Sequence, residues 1–132
     1  MVHALEKVHG LLKPRGVMID VQEIPYWRWL GVLGNEGLRL IKSHTGSKKF
    51  ENNRQAFAAL AVVIDQGLFA LDEERTFDAY THADSVEDLV EYFTSPISEN
   101  TVQRLKDLLE QAGEGAKIVV RQPTRMVRLR AA

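Results

Sequence analysis

The residues of this chain that could do chemistry are few and scattered. Its four histidines are His3, His9, His44 and His82. No two are four residues apart, the spacing that sets two metal ligands on one helical face, and His3 and His9, six apart, do not share a face. There is no cysteine, which removes disulfides, thiolate nucleophiles and cysteine-held metals. No metal is expected. Asp20 stands in an apolar strand, where a buried carboxylate with a raised pKa could act as a general base. A solvated carboxylate, or one bonded to a neighbouring strand, gives the same pattern, so no catalytic residue is assigned. No serine lies in a nucleophile-elbow motif. Tyr26, Trp27, Arg28 and Trp29 form the one aromatic cluster, and Trp27, Arg28 and Trp29 are the candidate ligand or interface residues. Tryptophan buries a large apolar area in a core, an interface or a small-ligand pocket. A platform for single-stranded nucleic acid needs a basic groove beside such rings. The surrounding hairpin supplies only Arg28, Arg39 and Lys42, so no nucleic acid is expected as a partner.

Charge is uneven along the chain although the formal net charge is -1. Residues 68–91 carry Asp72, Glu73, Glu74, Asp78, Asp84, Glu87, Asp88 and Glu91 against Arg75 alone, and 117–132 carries Lys117, Arg121, Arg125, Arg128 and Arg130 without an acid. Two such segments can neutralise each other across a sheet, or the arginines can form an anion-binding row. The near-zero net charge gives no field toward nucleic acid or membrane. No apolar run reaches the length of a membrane span, and the charged, helical opening segment does not read as a signal peptide. Cytoplasmic residence without membrane attachment is expected.

The elements that must position these residues follow from periodicity. Val2, Leu5, Val8 and Leu12 have helical spacing, and Pro14 stops that helix. The run 17–24 has strand length, with Val17, Ile19 and Val21 on one face and Met18, Asp20, Gln22 and Ile24 on the other; it reads as a buried strand. A second strand at 26–33 puts Trp27, Trp29, Gly31 and Leu33 together. Gly34-Asn35-Glu36-Gly37 makes a tight turn, and 38–42 returns as the third strand of a hairpin. A loop is expected at 44–49. A helix at 50–66 follows, with Phe50, Phe57, Leu60, Ala61 and Ile64 in its stripe and Gly67 at its end. A long strand at 69–80 is exposed or at an edge near Glu73 and Arg75. Ser85 opens a helix with a capping-box-like pattern and a stripe of Val86, Leu89, Val90 and Phe93. Ser95-Pro96 breaks it. Ser98 caps a further helix with Val102, Leu105, Leu108, Leu109 and Ala112 inward. The strand 117–130 closes the chain, and Pro123 marks a bulge or edge. The expected architecture is α+β: one domain over 1–132, with a single mixed, largely antiparallel sheet and about four helices packed on it.

The opening helix, the turn Lys13-Pro14-Arg15-Gly16 and the strand from Val17 together resemble the segment before the fifth strand of class I S-adenosylmethionine-dependent methyltransferases, where a Leu-Lys-Pro-Gly-Gly turn is usual. Arg15 takes the place of one glycine of that pair. The resemblance implies that 17–21 corresponds to the fifth strand, 50–66 to the following helix, and 69–80 and 117–130 to the last two, antiparallel strands. It also implies that the cofactor half is missing. A strand followed by an acid and a Gly-x-Gly loop is not found, and Gly31, Gly34 and Gly37 have hairpin spacing instead. No cofactor is therefore expected. The family half that is absent would cover one side of the core sheet, so the strand at 17–24 is expected to keep an uncovered edge or face. Three readings follow. The first is a non-catalytic methyltransferase-like domain that forms a homodimer or binds a partner. The second is the C-terminal subunit of a split methyltransferase, whose partner chain holds the cofactor. The third is a small-molecule-binding domain with its site near Trp27 and Trp29.

Overall fold

The structure is a computed structural model that describes residues 1–24, 28–42, 47–93 and 96–132. Among these described residues nine elements follow in chain order: α1 (Val2–Leu11), β1 (Val17–Glu23), β2 (Trp29–Gly34), β3 (Gly37–Lys42), α2 (Ser47–Asp65), β4 (Phe69–Ala83), α3 (Val86–Tyr92), α4 (Glu99–Ala112) and β5 (Lys117–Ala131). The class is α+β, with a five-stranded antiparallel sheet and four helices. No helix among the described residues is long and apolar enough to cross a membrane.

The local signals act where physical chemistry puts them. The Ser85 hydroxyl accepts from the Asp88 amide at 3.1 Å and the Ser98 hydroxyl from the Thr101 amide at 3.2 Å. Each cap satisfies a helix-end donor that otherwise has no partner. The β2–β3 hairpin closes on the pair Gly34↔Gly37. Gly31 serves a different need, because a Cβ there would run into the Arg39 carbonyl oxygen across the hairpin. Arg15 takes φ 64°, the left-handed conformation that a glycine adopts without strain. The turn between α1 and β1 thus keeps a glycine-like backbone although it carries arginine.

Strand β5 carries three pairings. Residues 124–130 pair with β1 and residues 117–121 with β2, both antiparallel. Strand β4 also pairs with β5, as the complementary charges and the order of elements predict. Pro123 lies between the two ladders, where its missing N–H interrupts neither.

The chain gathers into two compact units. The first holds α1, β1, α2 from Lys48, β4 through Phe77 and β5 from Thr124. Its core joins Leu60 and Val63 of α2 to Phe69, Val127, Leu129 and Ala131, with Val2, Leu5 and Leu12 of the α1 segment packed against them. Met18 joins this core, and the register pairs Met18 with Leu129 and Asp20 with Val127. The helices therefore cover the Met18–Asp20 side of β1. Val17, Ile19 and Val21 point the other way and are 41%, 61% and 55% exposed. The expectation of a buried strand is thus overturned, while an uncovered face on it is found. The reason is that α1 and α2 supply apolar cover to one side of the sheet only.

The second unit holds β2, β3, the rest of β4, α3, α4 and β5 through Pro123. Leu30, Val32, Ile41, Ile118 and Val120 form the inner side of its strands, and Leu89 and Leu105 of the helices pack among them.

Two helix readings need adjustment. Helix α2 begins at Ser47, inside the expected loop at 44–49; His44 lies outside the described residues. Its buried stripe runs through Ala56, Ala59, Leu60 and Val63, and Ala61 is exposed. On α3, Val90 faces solvent. A seven-residue helix spans two turns, too short for a stripe to be fixed by periodicity alone.

Leu129 is fully buried. Leu129→Ala is expected to cost about 2–5 kcal/mol in urea unfolding through the cavity it leaves. Arg15→Gly is expected to gain up to about 1 kcal/mol by removing the left-handed strain. An unchanged or lowered urea midpoint for Arg15→Gly would show that the turn does not hold that conformation.

Candidate functional site

The acidic and basic segments meet on the sheet of the first unit. Arg130 donates to Asp72 through Nε at 3.0 Å and Nη2 at 2.7 Å, and Arg128 lies 3.8 Å from the same carboxylate. Arg125 donates to Glu74 at 2.8 Å, and its guanidinium lies over the Phe57 ring at 5.0 Å. Arg75 pairs with Glu73 at 2.6 Å. The charges neutralise each other across the strands, so Arg125, Arg128 and Arg130 do not form a row waiting for an anion.

The hydrogen bond from Arg130 holds the Asp72 carboxyl below its ordinary value, with the charges of Arg130 and Arg128 adding to it and outweighing desolvation. The bond from Arg125 acts on Glu74 in the same way. Arg130 is in turn pushed above its ordinary value by Asp72.

Of the aromatic cluster, Trp27 lies outside the described residues, as does Tyr26. Arg28 is 4% exposed. Its Nε donates to Gln122 Oε1 at 2.6 Å and its guanidinium lies over the Phe93 ring at 5.1 Å. Gln122 passes the network on by donating to the Pro123 carbonyl at 3.0 Å. This side chain is committed to the interior of the second unit. Trp29 is half-buried opposite Arg121, whose guanidinium lies over the indole at 5.5 Å.

Asp20 is half-buried beside Met18 and Gln22. His9 packs edge-on against Phe69 with ring centroids 5.2 Å apart. Among the described residues no three His, Asp or Glu side chains converge as a metal site requires. A cleft of about 270 Å³ lies in the second unit, lined by Gly34, Asn35, Glu36, Arg39 and Gln111. It sits at the turn of the hairpin, whereas Trp29 begins β2 at the opposite end, so that ring does not line it.

The first unit has a second concavity, about 230 Å³, lined by Ile19, Glu73, Arg75, Met126 and Arg128. It lies on the side of the sheet that the helices leave open. The register Val17↔Arg130, Ile19↔Arg128 and Val21↔Met126 defines that side. The sequence placed Val17, Ile19 and Val21 on one face but did not mark that face as functional. The signal present was the β-branched row opposite the polar Asp20 and Gln22.

In comparisons with known proteins, no family profile matches the chain, and no curated protein or solved structure is significantly similar to it.

A carboxylate whose folded pKa is depressed contributes stability that is complete above its ordinary pKa and is lost as the pH falls through the depressed one. Stability from the Asp72 and Glu74 pairs is therefore expected to disappear on acidification below about pH 4. Asp72→Asn is expected to flatten the stability curve there, by a modest amount because the pair is partly exposed. Urea denaturation of wild type and variant from about pH 5 to about pH 2 measures this, and parallel curves would contradict the assignment.

Proposed function

We propose that this protein is a methyltransferase-like domain that carries out no catalysis itself and acts in the cytoplasm by associating with protein, its own copy above all. The uncovered row Val17, Ile19 and Val21 carries this reading. A sheet side open to water is normally polar. A row of β-branched apolar residues there loses free energy with every Å² it keeps exposed, and contiguous apolar patches of this kind mark association surfaces. The charged groups around it, Asp72 with Arg128 and Arg130 and Glu73 with Arg75, already have partners. They need no new counter-charge when a second surface excludes water.

Kinship with the C-terminal portion of class I methyltransferases is supported by the order α1, Lys-Pro-Arg-Gly turn, β1. It is supported further by the glycine-like φ of Arg15 and by the adjacency of β4 and β5. The same open side of β1 favours one second reading, in which a separate chain bearing the cofactor half covers it and the pair forms a split methyltransferase.

Calorimetric titration of the isolated chain with S-adenosylmethionine is expected to give no saturable heat, and micromolar binding would defeat the non-catalytic reading. Sedimentation equilibrium is expected to show a reversible dimer at roughly 100 µM protein, a concentration suited to micromolar dissociation constants. A strict monomer there would remove self-association.

A further inference from the structure

We infer that β1 pairs antiparallel with β1 of a second copy about a two-fold axis at Ile19. This rests on the self-association reading and specifies its surface. Strand β1 is bonded to β5 along one edge, and its other edge has no strand partner among the described residues. Edge strands that remain single usually carry lysine, proline or a bulge that spoils pairing. Residues 17–23 contain neither lysine nor proline. Asp20 lies on the Met18 side, and the open side presents Val17, Ile19 and Val21.

The self-complementary row selects a second copy as the occupant. Val-x-Ile-x-Val reads the same in both directions. An axis at Ile19 sets Val17 against Val21 of the second copy, twice, and Ile19 against Ile19 of the second copy. Directly opposed antiparallel residues have Cβ atoms about 4.5–5.5 Å apart, within reach for β-branched pairs. The same register brings Met18 opposite Asp20 of the second copy. A slip of two residues toward the C-terminus would set Asp20 against Asp20 of the second copy, and a slip of one would turn the apolar row against the Met18–Asp20 side. The seam is about 23 Å long and holds roughly six to eight hydrogen bonds. It is small beside a standard interface of about 1,600 Å², so the dissociation constant is expected in the micromolar range, about 1–100 µM.

The chain has no cysteine, so a single introduced thiol reports the geometry. Opposed residues of an antiparallel pair have Cα atoms about 4.5–5.5 Å apart, inside the disulfide range of about 4.4–6.8 Å. Sheets stacked face to face lie about 10 Å apart and cannot be bridged in this way. Ile19→Cys is expected to form a disulfide-linked dimer under mild oxidation, while Val90→Cys, exposed on α3, stays unlinked. Ile19→Lys is expected to weaken the dimer at least tenfold in sedimentation equilibrium without altering the thermal melt of the monomer. A wild-type dimer that survives Ile19→Lys and does not cross-link through Cys at 19 would overturn the β1 seam and leave self-association standing. A wild-type monomer at roughly 100 µM would overturn both.

Discussion

Strand β5 is the backbone partner of three other strands, and the rest of the structure depends on how its 15 residues are divided. Residues 124–130 give one ladder to β1 and residues 117–121 give another to β2. In the first unit Val127, Leu129 and Ala131 supply the core, and in the second Ile118 and Val120 do. Alternation along a strand means that odd-numbered residues carry the core in one unit and even-numbered residues in the other. In the first unit the even-numbered set turns to the open side, whereas in the second Val119 is buried along with Ile118 and Val120. In the first unit that set is Met126, Arg128 and Arg130, which explains why arginines flank the apolar row of β1.

The electrostatics follow from the same division. Arginines on an open sheet side are soluble in themselves, but they would repel each other along the strand. The acids of β4 answer them, and the lowered proton affinities of Asp72 and Glu74 record that attraction. The open side is thus apolar on β1 and charge-neutralised on β4 and β5. Such a surface tolerates water and also tolerates its removal, because few ions there are left uncompensated.

Much of this was legible in the sequence because the signals are local. Ser98 was readable as a cap, Gly34 to Gly37 as a turn, and the opposite charges of 68–91 and 117–132 as neighbours. What periodicity could not say is which side of a strand receives helices. The row Val17, Ile19 and Val21 and the row Met18, Asp20 and Gln22 were separated correctly. Hydrophobicity alone put the first row inside, whereas the helices settled on Met18. The tertiary choice was made by Phe69, Val127 and Leu129, whose burial outweighs that of the β1 row. Arg28 misled for a related reason. An arginine between two tryptophans reads as surface chemistry, but a bond to Gln122, 94 positions away in sequence, draws it inside.

Pro123 has a consequence for how the protein breathes. It separates the two ladders of β5 at the boundary between the units. A proline contributes no amide hydrogen to either ladder, so opening need not propagate through it as hydrogen bonds break in sequence. The amide protons of 117–121 and of 124–130 are therefore guarded by different cores, and each set is expected to exchange with solvent at a free energy set by its own core.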